Sequence, residues 1–279
     1  MWANDICPYK ICGRIMSTTI VGDDILSSRL ARKEIMRVLV SGCMGHMGQI
    51  LCKMICDDPE LELACGVDKN CENTNIKCFK SFDEVNVDVD IVVDFSHHSL
   101  TREMINFATK KSLPLVIATT GQTDEEKKII NDAANTIPIF FAANYSMGIA
   151  VLIESAKKIA SQFKNADIEI VETHHNRKLD APSGTALAIA EGLKEVRPDA
   201  NLILGRSGNQ KRDKKDIGIN SIRLGNVVGI HEVMISTEHE CISIKHEAYD
   251  RGLFAEGAVN AVKYMKDKGK GLYTMKDII

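Results

Sequence analysis

Two imidazoles and an ammonium group fall within five residues of this chain, at His174, His175 and Lys178. A histidine titrates near neutral pH, and both histidine and lysine can give or take a proton during a reaction. The segment therefore predicts acid–base chemistry.

The residues that follow have the composition of a helix start. Pro182 is tolerated in a first helical turn, because its missing N–H is not needed there. The amide groups around Ser183, Gly184 and Thr185 would then be free to hold a carboxylate. A proton donor beside an anion-binding helix start suits a small acidic substrate.

Other interpretations of these residues stay open. The segment could be a solvated polar loop, or His174 and His175 could bind a metal. Neighbouring residues of a strand face opposite ways, which disfavours one ion held by both. Cys52 and Cys56 lie four apart on a predicted helix and could also face a metal, although small buried side chains are the simpler explanation. We expect no metal.

A glycine-rich turn precedes the first predicted helix. Gly42, Gly45 and Gly48 form the spacing G-x-x-G-x-x-G, a variant of the dinucleotide fingerprint. A nucleotide pyrophosphate would lie on the unpaired N–H groups at the start of that helix. The glycines could also serve only a strand–helix turn.

An acidic residue at the end of the second predicted strand favours nucleotide binding. Asp68 lies 20 residues beyond Gly48, where a carboxylate can accept the adenosine ribose hydroxyls. Lys69 could meet a 2′-phosphate, so we expect NADH and/or NADPH as cofactor. The strand ends at Ala118–Gly121 and Ala142–Tyr145 fall on the edge where such folds bind the rest of a dinucleotide.

The first half of the chain alternates short apolar strands with amphipathic helices from Met36 onward. This alternation predicts an α/β fold with a Rossmann-type, doubly wound parallel sheet. Capping boxes are predicted at Ser81–Glu84 and Thr123–Glu126.

The pattern changes after Asn144. Three closely spaced strand-like runs, at 220–224, 227–236 and 240–248, favour antiparallel pairing in a smaller α+β substrate domain with an open mixed or antiparallel sheet. The predicted domains are an N-terminal extension at 1–35 that is poorly ordered, a dinucleotide-binding domain at 36–145 and 252–279, and a substrate-binding and oligomerisation domain at 146–251.

Composition excludes several classes of function. The net charge of −3 gives no general attraction to nucleic acid or to an anionic membrane, and no apolar stretch is long enough to cross a bilayer. Nine cysteines without a Cys-x-x-Cys pair suit reduced thiols in a cytoplasm better than a disulfide framework.

The stretch HHNRKLDAPSGTA closely resembles the signature of the dihydrodipicolinate (4-hydroxy-tetrahydrodipicolinate) reductase family. The resemblance runs from Met36 to the C-terminus through VLVSGCMGHMG, VVDFS, ATTG, AANYSMG, IGINSIRLGNVVGIHEV and FAEGAV. It implies NAD(P)H-dependent reduction of a cyclic dicarboxylate imine with loss of water in diaminopimelate and lysine biosynthesis, by a homotetramer.

The resemblance also implies roles for individual residues. His174 looks like the proton donor or acceptor, Lys178 like a proton donor and His175 like a substrate contact, while Gly184 and Thr185 would hold a substrate carboxylate. The implied cofactor residues are Gly42, Cys43, Met44, Gly45, His46, Met47, Asp68, Ala118, Thr119, Thr120, Ala142, Ala143, Asn144 and Tyr145.

Two alternatives to this function remain. A different Rossmann reductase of a small amino or keto acid, such as a semialdehyde dehydrogenase, needs a nucleophilic cysteine in the second domain, where only Cys241 stands. A non-catalytic nucleotide sensor would keep the glycine turn but lose His174 and Lys178.

Overall fold

The computed structural model describes residues 35–72 and 74–279, so the predicted N-terminal extension lies outside the described residues except for Ile35. The chain divides into two compact units. The first ends at Ile139 and adds Asp267–Leu272; the second holds Phe140–Lys266 and Tyr273–Ile279. This division groups the last long helix with the second unit, whereas the predicted boundary at 252 assigns it to the nucleotide domain.

A seven-stranded sheet forms the centre of the first unit, in the order β12-β6-β5-β4-β1-β2-β3. Read from β3 to β6, this is the order of the dinucleotide-binding fold. The strands are β1 (Met36–Ser41), β2 (Leu61–Val67), β3 (Cys78–Phe79), β4 (Ile91–Asp94), β5 (Leu115–Ile117), β6 (Pro138–Phe141) and β12 (Gly271–Tyr273).

The central strands are parallel and buried on both faces. β1 pairs in parallel with β2 and with β4, and β4 pairs in parallel with β5. The apolar runs Val38–Val40, Ile91–Val93 and Leu115–Ile117 are at most 1% exposed, which accounts for their lack of alternation in the sequence. The predicted doubly wound sheet is confirmed. The helices of this unit are α1 (His46–Asp57), α2 (Thr101–Lys111) and α3 (Asp124–Ala133).

The second unit holds a five-stranded mixed sheet in the order β11-β10-β7-β9-β8. Its strands are β7 (Asp167–His174), β8 (Asn201–Leu204), β9 (Asp216–Arg223), β10 (Gly229–Ser236) and β11 (Cys241–Ala248). Its helices are α4 (Met147–Gln162), α5 (Gly184–Lys194) and α6 (Gly252–Tyr264). Burial alternates strictly along β7 and β10. The buried side chains of the sheet form one core with α4 and α5.

The predicted open mixed or antiparallel sheet is confirmed as a mixed sheet, but one of the three runs that were expected to pair antiparallel does not do so. β10 does pair antiparallel with β11 and with β7, but β9 pairs in parallel with β7 and with β8. The run at 220–224 therefore does not form a hairpin with the next strand, because β7, from much earlier in the chain, lies between β9 and β10.

One predicted capping box forms and the other does not. At Thr123 the side chain accepts from the amide of Glu126, and the Glu126 carboxylate accepts from the amide of Thr123. At Ser81 no side-chain cap forms, and only a 3-10 turn, Phe82–Glu84, follows. There the Glu84 carboxylate accepts instead from the amide of Lys80.

The expectation of reduced thiols throughout is wrong at one place. Cys71 and Cys78, which flank the turn between β2 and β3, form a disulfide, and the Cys43 sulfur lies 3.7 Å from that of Cys78. The seven-residue separation carries no sequence signal, since the two sulfurs meet only when β3 pairs with β2.

Within the described residues, no helix combines the length and the apolar character that a membrane span requires.

The two sequence capping boxes give a matched test of the fold. Thr123→Ala should lower the free energy of unfolding by about 0.5–2 kcal/mol, because the amide of Glu126 loses its acceptor. Ser81→Ala should change it by less than about 0.5 kcal/mol, since no cap bond is lost. Urea unfolding monitored by circular dichroism measures the free energy of unfolding of both variants. An equal loss of stability in the two would contradict the difference between the two helix starts.

Candidate active site

The glycine turn between β1 and α1 has the geometry of a nucleotide cradle. Gly42 has a φ of 78°, and a Cβ there would come within 2.5 Å of the Phe95 carbonyl oxygen, so only glycine fits. A Cβ at Gly48 would overlap the Gly42 carbonyl, so this glycine lets the helix pack against the turn. The N-cap of α1 is Gly45, which has no side chain to occupy the helix start.

Asp68 lies at this turn. Its carboxylate accepts from the amide of Met44 at 3.1 Å and from the amide of Asn70 at 3.0 Å. The structure therefore brings together the glycine turn and the predicted ribose acid, which are 20 residues apart in sequence. Lys69 follows and is exposed.

Cys43 can contribute only its backbone to this turn. Its side chain is 1% exposed, and its sulfur occupies the space where a side chain at Gly66 would lie. Burial, with the nearby Asp68 carboxylate, raises the pKa of the Cys43 thiol to about 12. His46 is exposed, and Met44 and Met47 are half-buried at the helix start.

The end of β5 holds the next predicted cofactor residues. Ala118 is half-buried, Thr119 is buried and Thr120 is exposed. The Thr119 carbonyl accepts from the Gln122 amide side chain at 2.8 Å, which shapes the turn after the strand. Nearby on the same sheet edge, burial raises the pKa of the Asp94 carboxyl, which accepts a hydrogen bond from the Ser96 hydroxyl.

In the second unit, β7 presents Glu172 and His174 on its buried face. Glu172 has no exposed side-chain surface, and its carboxylate contacts His174 Nδ1 at 2.5 Å. Arg223, at the end of β9, donates one hydrogen bond to each Glu172 oxygen, both at 2.9 Å. Burial alone raises the pKa of the Glu172 carboxyl, but the bonds from Arg223 and His174 outweigh it and hold that pKa at about 2. Glu172 is therefore a carboxylate at neutral pH.

The start of α5 lies against the same carboxylate. Ser183 is the N-cap, and its hydroxyl accepts from the amide of Ala186 at 3.1 Å. The amide of Ser183 donates to Glu172, so the expectation that this N–H is free is wrong. The amides of Gly184 and Thr185 remain the first-turn groups that no preceding helical carbonyl can reach. Pro182 precedes the cap instead of occupying the first turn.

A small cavity collects several of these side chains. It is lined by His174, Thr185, Asn144, Ser146, His231 and His246, with apolar groups from the end of β11 and the start of α6. The Asn144 amide donates to the Thr185 hydroxyl at 3.0 Å. Asn144, predicted on the cofactor side, thus contacts a predicted substrate residue.

His231 is the second imidazole of this cavity. Its Nε2 lies 3.2 Å from the Ser183 hydroxyl, and its ring packs edge-on against that of His174 with centroids 5.1 Å apart. Burial, with the neighbouring His174, lowers the pKa of His231 to about 4, so this ring is neutral at pH 7. Burial also lowers the pKa of His246.

His175 and Lys178 lie beyond the residues that line this cavity. The Lys178 ammonium pairs with the Asp180 carboxylate at 2.8 Å within the loop after β7. His175 is half-buried. Burial lowers the pKa of His175, and the positive charge of Arg177 lowers it further.

Three more predicted cofactor residues belong to the segment after β6. Ala142 is half-buried and Ala143 is exposed, so both can meet a ligand. Tyr145 is 3% exposed and its hydroxyl donates to the Phe140 carbonyl at 3.3 Å, which makes its ring part of the core.

The alternative chemistries find little support in the described residues. No group of three or more His, Cys, Asp or Glu side chains there could hold a metal ion. Cys241 is exposed on β11, on the face opposite to His246 and Ala248, so it does not reach the cavity.

Sequence reasoning missed Glu172, Arg223 and His231. Glu172 was accessible from the sequence, because residues two apart on a strand share a face and His174 was already singled out. Arg223 and His231 lie in the motif IGINSIRLGNVVGIHEV, but no role was assigned to them, since their proximity to β7 depends on its pairing with β9 and β10.

Comparison with known proteins gives consistent matches along the chain. The family model for the N-terminus of dihydrodipicolinate reductase matches residues 36–145, and the model for its C-terminus matches residues 148–279. The 4-hydroxy-tetrahydrodipicolinate reductase of Caldanaerobacter subterraneus subsp. tengcongensis is 41% identical over 245 residues, which cover 87% of this chain and 98% of that protein. The enzyme of the same name from Clostridium tetani is 43% identical over 242 residues, covering 86% of this chain and 95% of that protein.

A solved structure agrees with these matches. The dipicolinate-bound dihydrodipicolinate reductase from Paenisporosarcina sp. TG-14 is 25% identical, with a TM-score of 0.75, and the match covers 88% of this chain and all of that one.

Thiol labelling tests the described environment of the glycine turn. Iodoacetamide at pH 8 should label the exposed Cys56 and Cys241 in the native protein and leave Cys43, Cys52 and Cys65 unmodified. Burial keeps the last three as thiols, because it raises the pKa of each. Peptide mass spectrometry measures the labelling, and the same reaction in urea should label all five. Native labelling of Cys43 as fast as that of Cys56 would contradict the structure.

Proposed function

The chain belongs to the dihydrodipicolinate reductase family, and we propose that it reduces 4-hydroxy-tetrahydrodipicolinate to tetrahydrodipicolinate, with loss of water, in diaminopimelate and lysine biosynthesis. The observation that carries this proposal is the His174–Glu172 pair, whose imidazole lines one cavity with Thr185 at the start of α5. The family activity is that of an NAD(P)H-dependent oxidoreductase.

The substrate is proposed to be a small dicarboxylate, like the dipicolinate bound to the related solved enzyme. One carboxylate would accept hydrogen bonds from the amides of Gly184 and Thr185, where the α5 dipole also favours an anion. The Asn144 side chain fixes the Thr185 hydroxyl beside them.

Proton transfer is assigned to His174 and Lys178. Reduction of an imine leaves electron density on the ring that an acid must quench. The Nε2 of His174 is the ring nitrogen not engaged by Glu172. It would carry the proton in the imidazolium form of the ring and keep a lone pair after donating it. Lys178 would add positive charge near the dianion from the loop after β7, with His175 as a further substrate contact.

The first unit would hold NADH or NADPH, which supplies the hydride when bound. The pyrophosphate fits the cradle at Gly42 and the start of α1, where a side chain would clash. Asp68 would accept the ribose hydroxyls of NADH, and Lys69 would meet the 2′-phosphate of NADPH. We propose that both cofactors are used.

Assembly as a homotetramer in the cytoplasm completes the proposal. The face of the five-stranded sheet opposite α4 and α5 carries half-buried apolar side chains, Val171, Ile230 and Met234 among them. A second copy could cover this face.

A coupled assay tests the reaction directly. Freshly condensed product of pyruvate and aspartate semialdehyde should be reduced by the protein with oxidation of NADH or NADPH, followed at 340 nm. His174→Gln should lower kcat by about 10²- to 10⁴-fold, as expected for a general acid–base group. Wild-type turnover no faster than in a blank without protein would refute the activity, and an undiminished variant would remove His174 from the chemistry.

The cofactor assignment rests on Asp68. Asp68→Ala should raise the Kd of NADH by about tenfold, because the cofactor loses one hydrogen bond to a charged group. The Kd of NADPH should rise by less. Glu62→Ala, which removes an exposed carboxylate near the start of β2, serves as the control and should change neither. Titration of nicotinamide fluorescence measures both affinities. An equal change for the two cofactors would show that Asp68 does not contact the ribose.

A further inference from the structure

The buried Glu172 carboxylate contacts His174, one of the residues that line the cavity of the second unit. Each of its oxygens accepts two hydrogen bonds: Oε1 from Ser183 N and Arg223, Oε2 from His174 and Arg223. A fully buried carboxylate is stable only when its charge is balanced and its lone pairs are occupied. Arg223 supplies the balancing charge.

The consequence for His174 concerns the position of its proton. A carboxylate only accepts hydrogen bonds, so the ring nitrogen facing Glu172 must carry a proton. In the neutral ring, Nδ1 is then the protonated nitrogen and Nε2 has a free lone pair. A Cβ built on Gly229, which lines the cavity, would lie 3.2 Å from that Nε2.

We propose that Glu172 and Arg223 are positioning residues for the reaction, which fix His174 as the Nδ1–H tautomer and leave Nε2 to exchange a proton with the substrate. This inference rests on the proposed reductase function. Neither residue touches the substrate in this assignment; both act through the imidazole and its loop.

Arg223 extends this control to the second predicted proton donor. Its guanidinium also donates to the Asp180 carbonyl at 2.6 Å, and the Asp180 carboxylate pairs with Lys178. One side chain therefore connects the strand that carries the imidazole to the loop that carries the ammonium group. Its planar fork presents several N–H donors in a fixed geometry, which suits both connections at once.

The other ionisable groups around His174 leave Glu172 as its anionic partner. On β10, His231 is neutral at pH 7 because burial lowers its pKa to about 4, and on β11 burial lowers the pKa of His246. On β9 the facing charge is Arg223, which Glu172 neutralises. In the loop after β7, the charge of Lys178 is matched by Asp180.

The test compares Glu172→Gln with a matched control. Glutamine keeps the size of the side chain and an oxygen for the Ser183 amide, but its NH₂ group can donate to Nδ1 and favour the other tautomer. The control is Asp216→Asn, which removes a buried carboxylate paired with Arg206 at 2.9 Å, at the opposite end of β9 from Arg223. Both variants remove one buried carboxylate that is paired with an arginine.

The kinetic expectation separates positioning from a purely structural role. Glu172→Gln should lower kcat by about 10²-fold, within the range attributed to one acid–base group, with KM for the dicarboxylate changed less than threefold. Asp216→Asn should keep kcat within about threefold of the wild type. If Glu172→Gln does not fold, the double variant Glu172→Gln/Arg223→Met replaces it, because removing only one partner of a buried ion pair is the destabilising change. The double variant should show the same loss of kcat.

A second readout does not depend on activity. In the wild type, ¹⁵N–¹H imidazole spectra should show a hydrogen-bonded Nδ1 proton that disappears in His174→Gln and is lost or moved upfield in Glu172→Gln. A folded Glu172→Gln protein with undiminished kcat, or with that proton signal unchanged, would overturn the inference. If the wild type has no reductase activity, the proposed function fails, and the proton signal still decides whether Glu172 sets the tautomer.

Discussion

The structure of the second unit depends on how one buried charge is balanced. Glu172 lies beneath the helix start at Ser183 with no exposed surface, where an unpaired carboxylate would cost several kcal/mol. Its partners come from three places in the chain: its own strand, the end of β9 and the α5 cap. Arg223 also donates to the carbonyl of Asp180 in the loop after β7. The contacts that balance the charge of Glu172 therefore also bring His174 and the start of α5 together.

The mixed sheet makes this convergence possible. Because β7 lies between β9 and β10, Arg223 of β9 pairs with His174 on one side of β7, and His231 of β10 pairs with Glu172 on the other. A meander in chain order would have placed β9 beside β10 and removed Arg223 from Glu172. The first unit uses a simpler principle: its central strands are parallel, so Gly42, Asp68 and Thr119 all follow strand ends at one edge.

Local patterns in the sequence predicted the elements and much of the site. The glycine turn, Asp68 and a helix start within residues 182–185 follow from spacing and residue type, although Pro182 precedes the cap, and the capping box at Thr123 formed as predicted. Non-local features could not be predicted in this way: the parallel pairing of β9, the Cys71–Cys78 disulfide, and the use of the Ser183 amide by Glu172. The first depends on which strands become neighbours, and the other two depend on how a loop or a helix start packs against a strand. Periodicity encodes neither.

The most direct measurement is a crystal structure of the protein with oxidised cofactor and pyridine-2,6-dicarboxylate, a stable planar analogue of the substrate ring. The account predicts one carboxylate on the Gly184 and Thr185 amides, and His174 Nε2 facing the ring while Nδ1 stays on Glu172. A dicarboxylate bound away from α5, or a His174 ring turned so that Nδ1 leaves Glu172, would contradict it.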